Sequence, residues 1–88
     1  MQTIEYTIRD ENGIHARPAG VIVSAAKKYQ SDIIIRIAGS DKAADGKKLF
    51  AVMGMGAKKG DILQITAKGE DAAEALMKLE AEMRSAGL

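Results

Sequence analysis

The chain has 88 residues, 47% of them hydrophobic and 28% charged, with a formal net charge of +1, one histidine and no cysteine. That balance belongs to a folding globular chain of one domain, residues 1–88, and excludes a disulfide framework, a thiolate metal site and a disordered segment. An even charge and 3% aromatic residues give no electrostatic or stacking reason to expect nucleic acid. A lone histidine argues against zinc, and neither a metal nor a cofactor is expected. No stretch is apolar for long enough to insert in a bilayer, and Met1 to Thr7 has no basic segment followed by an apolar run, so the expected location is the cytoplasm.

Ile4, Tyr6 and Ile8 alternate with Thr3, Glu5 and Thr7, the period of a strand with one buried face. Asp10-Glu11-Asn12-Gly13 then turns the chain. From Ala16 to about Tyr29, Ala19, Ile22, Val23, Ala26 and Tyr29 recur at helical spacing, with Pro18 near the helix start where its missing N–H does no harm. Isoleucine-rich Asp32 to Ile37 predicts a second strand, Ala38 to Asp41 a turn, and Lys42 to Ala44 a short third strand closing a hairpin. Asp45-Gly46 breaks the chain before a short helix from Lys48 to Met55, with Leu49, Val52 and Met53 on one side. Asp61 to Ala67 alternates Leu63, Ile65 and Ala67 with Gln64 and Thr66 as a fourth strand. A last helix follows, with Asp71 and Glu74 at the spacing of a capping box, Ala72, Leu76, Leu79 and Met83 as its apolar stripe, and Gly87 at its stop. The order βαββαβα predicts an α+β sandwich of two layers; if the first and second strands lie parallel with the fourth inserted between them, all neighbours become antiparallel, an arrangement the order allows without forcing it.

The one histidine falls where a loop becomes a helix, within Gly13-Ile14-His15-Ala16-Arg17-Pro18-Ala19. The first N–H groups of a helix lack internal partners and carry partial positive charge, so Ala16 and Arg17 would offer an anion two donors there. The same field disfavours imidazolium and favours a neutral ring able to attack phosphorus. A phosphate carried on His15 could then meet those donors and the planar Arg17 guanidinium. An isolated His-x-Arg-Pro is nonetheless more often an ordinary helix start than a reactive centre.

The seven-residue segment resembles the active-site signature of HPr, the histidine-containing phosphocarrier of the bacterial phosphoenolpyruvate-dependent sugar phosphotransferase system. Lys48 to Gly60 is similar to the second motif of that family, and the element order matches over the whole chain. The resemblance implies an open-faced β-sandwich, a four-stranded antiparallel sheet with three helices on one face. It further implies that phosphorylated enzyme I transfers a phosphoryl group to Nδ1 of His15, that Arg17 steadies it, and that a sugar-specific enzyme IIA accepts it. The chain would thus be a carrier and no complete enzyme. It lacks the Walker spacing, Gly54-Met55-Gly56 and Lys58-Lys59-Gly60 notwithstanding.

A carrier must dock on two partners in turn and leave both, which suits a small interface. Leu49, Phe50 and Met53 lie on a helix too short to bury them all, and Phe50 is the residue most expected outside. Gly20 and Lys27 are further docking candidates, and Lys47 and Lys48 could attract acidic partners. One small core uses the remaining apolar stripes, so a monomer is expected. In many relatives from Gram-positive bacteria a regulatory serine phosphorylated by a kinase precedes the Leu-Phe pair. Here Lys48 stands there, and no such regulation is expected at this position. A carrier dedicated to a specialised relay and a binding module in which His15 does no chemistry are the alternatives; the former differs in its exchange partners, the latter in binding unaffected by His15→Ala.

Overall fold

The computed structural model describes residues 1–88 as β1 (Gln2–Thr7), α1 (Ala16–Ala26), β2 (Asp32–Ile37), β3 (Ala43–Asp45), α2 (Leu49–Gly54), β4 (Ile62–Lys68) and α3 (Ala72–Ser85). The four strands form one antiparallel sheet in the order β1-β4-β2-β3. β4 therefore lies inside the sheet between β1 and β2, the placement that the element order allows. Its alternation explains why it can be central: Leu63, Ile65 and Ala67 are fully buried while Ile62 and Lys68 face out. The register sets Ile37 opposite Leu63, Ile35 opposite Ile65 and Ile33 opposite Ala67, so β2 and β4 present one continuous apolar surface. Tyr6 adds to it from β1, opposite Leu63.

All three helices contribute to the core built on that surface. α1 buries Ala19, Ile22, Val23 and Ala26 of its expected stripe together with Pro18 and Ala25, and α3 buries Ala72, Leu76, Leu79 and Met83 of its stripe together with Ala75. α1 and α3 also pack against each other, and α2 packs against α1 and β3. Met55 and Ala57, just past α2, are buried as well, which ties the α2–β4 loop to the core. No helix is long and apolar enough to cross a membrane.

The ends of α2 and β4 shift by one residue from the sequence pattern, to Leu49–Gly54 and Ile62–Lys68, and three other details depart from it. β3 begins at Ala43, one residue after the expected start, although Lys42 still accepts the Ile37 N–H through its carbonyl. α1 stops at Ala26 where its stripe extends to Tyr29. The N–H groups of Lys28 and Tyr29 bond carbonyls three residues back, at Ala25 and Ala26, a tightened last turn that still lays Tyr29 against the core. Asp71 makes no capping box: its carbonyl starts α3 by accepting the Ala75 N–H, but its carboxylate caps nothing. That carboxylate instead accepts the Gln30 N–H (2.9 Å), the Ser31 N–H (3.0 Å) and the Ser31 hydroxyl. Two N–H groups of the turn leaving α1 outcompete those of its own helix because Ser31 is buried and must find an acceptor inside the protein.

Candidate functional site

The loop between β1 and α1 is fixed at both ends before it presents anything. Ile8, just past β1, is buried and accepts the Gly60 N–H while donating to Asp61. Asp10 then closes a turn twice over. Its side chain accepts the Asn12 N–H at 2.9 Å, and its carbonyl accepts the Gly13 N–H at 2.9 Å. Gly13 has a φ of +62°, and a β-carbon there would lie 2.2 Å from the Ala57 carbonyl oxygen. Only glycine meets both demands. The same Ala57 carbonyl accepts the Ile14 N–H at 3.1 Å, and Ile14 is buried, as are Pro18 and Ala19 on the other side of His15. The backbone of His15 is thus held between two anchored stretches.

His15 is the N-cap of α1, extended at φ −92° and ψ −171°, with its carbonyl accepting the Ala19 N–H at 3.0 Å. Its side chain caps nothing. The ring turns back toward the loop, where Nε2 lies 3.3 Å from Oδ2 of Asp10; the side chains are 39% and 19% exposed respectively. The site's hydrogen bonds leave Nδ1 free. Next to His15 in the chain, Ala16 and Arg17 are exposed. As the first two residues of α1 they have no carbonyl four residues back within the helix, and Pro18 has no N–H to offer. The structure therefore places a half-exposed imidazole beside two free backbone donors at the positive end of an eleven-residue helix.

Arg17 is held elsewhere than the sequence suggests. Its guanidinium donates to the Ala86 carbonyl at 3.0 Å, and so satisfies an orphan acceptor at the C-terminus of α3. α3 ends there in a Schellman turn, with Gly87 at φ +78°, its N–H on the Arg84 carbonyl and the Leu88 N–H on the Met83 carbonyl. The turn delivers the Leu88 carbonyl oxygen to the N–H groups of Arg9 (2.6 Å) and Asp10 (3.1 Å). The end of α3 thus buttresses the loop that carries His15 and engages the guanidinium at the Ala86 carbonyl.

Asp10 had no role in the sequence pattern beyond turning the chain, and it is the charged residue nearest the imidazole. The N–H of Asn12 first, and then the hydrogen bond from His15, hold its carboxyl below the ordinary carboxylate value, against partial desolvation. Asp10 is therefore ionised at neutral pH.

Among the docking candidates, Phe50 is 83% exposed and Leu49 37%, whereas Met53 is half-buried and packs against the core. Gly20 is half-buried in a groove of about 370 Å³ between α1 and α3, also lined by Arg17, Ser24, Lys28 and Glu82. Lys27 and Lys48 are exposed, and Lys47 donates to the Tyr29 carbonyl at 2.7 Å. Lys48 is the N-cap of α2 and supplies no side-chain cap.

Comparison with known proteins gives a consistent likeness. The family model described as the PTS HPr component phosphorylation site matches residues 2–85. The histidine-containing phosphocarrier protein of Mycoplasma superposes with a TM-score of 0.94 at 33% identity, over 99% of this chain and 97% of that one. The phosphocarrier protein HPr of Bacillus anthracis superposes with a TM-score of 0.80 at 31% identity, over 92% and 94%. Multiphosphoryl transfer proteins of Salmonella typhimurium and Escherichia coli O157:H7 are each 42% identical over 73 residues, 82% of this chain; the matched stretch spans 19% of the length of those relatives.

Proposed function

The chain belongs to the HPr family of the phosphotransferase system, and we propose that it is a phosphocarrier that accepts a phosphoryl group from phosphorylated enzyme I on Nδ1 of His15 and passes it to an enzyme IIA. One observation carries this reading: a half-exposed imidazole, Nδ1 free, stands beside two unpartnered N–H groups at the N-terminus of α1. The Nδ1 lone pair forms the N–P bond as the bond from phosphorus to the donor breaks, its electron pair leaving with the donor. The Ala16 and Arg17 N–H groups then face an anion that the helix end favours. Arg17 joins them by exchanging the Ala86 carbonyl for a phosphoryl oxygen, a charged acceptor worth more to a guanidinium than a neutral one. Exposed Phe50 and Leu49 supply an apolar contact for docking, with Gly20 and Lys27 on α1 and partly buried Met53 at its edge.

On this reading the carrier is a cytoplasmic monomer that borrows the chemistry of its partners. Transfer through it is tested with labelled phosphoenolpyruvate, enzyme I and magnesium, followed by a purified enzyme IIA. Label that passes through this protein and leaves it when the acceptor is added supports the reading. Label that never enters it contradicts the reading. The likeness to multiphosphoryl transfer proteins favours a second reading of the same chemistry, a carrier dedicated to one relay; such a carrier would exchange with one acceptor and ignore others.

A further inference from the structure

We propose that Asp10 is a positioning residue for His15: its carboxylate accepts the Nε2–H, holds the ring in the tautomer that leaves the lone pair on Nδ1, and balances the positive charge that builds on the ring during transfer. The second half of this proposal rests on the carrier reading; the first half does not.

An ionised carboxylate can only accept, so the Oδ2 contact at 3.3 Å forms only when Nε2 carries the proton. In a neutral imidazole the lone pair is then at Nδ1, which no other group of the protein occupies. The carboxylate is itself prevented from turning away. Oδ1 is engaged by the Asn12 N–H at 2.9 Å, and the Asp10 N–H is engaged by the Leu88 carbonyl at 3.1 Å. Asp10 therefore reaches the ring from a backbone anchored on two sides, as a group that orients a reactive histidine must.

As the N–P bond forms from the Nδ1 lone pair, the ring keeps its Nε2 proton and becomes cationic, opposite a carboxylate already in place. When the phosphoryl group moves on, the N–P electron pair returns to Nδ1 and the ring is neutral again. No proton enters or leaves in either direction. Arg17 is the other charge felt at Asp10, and its guanidinium is engaged by the Ala86 carbonyl until an anion arrives.

Asp10→Asn separates this role from that of a simple turn residue. The amide oxygen can keep the Asn12 N–H, so the turn survives, while the amide NH2 now faces Nε2 and calls for a lone pair there. Nitrogen-15 shifts of the imidazole, read in the free protein at mildly alkaline pH, should report Nε2–H in the parent and a shift toward Nδ1–H in the variant. Phosphoryl uptake from enzyme I should slow about five- to tenfold at saturating donor, with the KM for enzyme I unchanged. Asp10→Ala, which loses the turn contact as well, gives the size of the structural contribution by thermal unfolding. An Asp10→Asn protein with the parent's tautomer overturns the proposal, whether its rate is kept or lost. If even the parent fails to take a phosphoryl group at His15, the carrier reading falls, while the tautomer comparison still decides what Asp10 does.

Discussion

At the N-cap of α1, serine or aspartate would turn an oxygen onto the helix N–H groups, whereas His15 leaves them open. Function and stability therefore compete at this residue. His15→Ser should raise stability by about 0.5–1 kcal/mol while abolishing phosphoryl uptake, a pairing that denaturant unfolding and a transfer assay check together. A variant that is both less stable and inactive would mean that the ring is a structural group. His15 and Arg17 were legible in the sequence because they sit two residues apart on one helix start. Asp10 was not, since five residues and a turn separate it from the ring, and a turn aspartate ordinarily spends its carboxylate on its own backbone. The station of Arg17 on Ala86, 69 residues away, had no local signal at all.

The elements themselves were legible because their patterns are plain: β2 is rich in isoleucine, β4 alternates from Leu63 to Ala67, and the stripe of α3 contains all of its buried residues except Ala75. The ends of elements were less so, because tertiary partners decide them. Asp71 has the spacing of a cap, yet the buried Ser31 and its neighbour claim the carboxylate across the fold. α2 shows the opposite case, a helix start with no tertiary substitute for a cap. Lys48 stands there with the wrong charge for the helix dipole and no side-chain bond. Lys48→Ser should therefore stabilise the protein, by about 1 kcal/mol, read as a higher midpoint in denaturant with an unchanged slope. An unchanged or lower midpoint would show that the lysine stem contributes packing that outweighs the missing cap.

Across the whole molecule, two carboxylates fix the chain, Asp71 by tying α3 to the turn after α1 and Asp10 by closing the loop before α1, and their titration sets the behaviour in acid. Asp71 is held below the ordinary value of 3.8 by the Ser31 hydroxyl and then the Gln30 N–H, and Asp10 by the Asn12 N–H and then His15. A depressed folded value means that their stabilisation is complete above 3.8 and is lost as pH falls through the lower folded values. Unfolding followed from about pH 5 to about pH 2 should show stability falling with acid, and falling less steeply in an Asp10→Asn, Asp71→Asn double variant. An identical slope in both would remove these two groups from the account. The central claim concerns His15, and intact mass after incubation with enzyme I, magnesium and phosphoenolpyruvate, beside a His15→Ala variant, tests it most directly. The account predicts one phosphoryl addition, labile in acid and stable in alkali, that the variant lacks. A parent with no addition under active enzyme I, or a variant that gains the same mass, would contradict it.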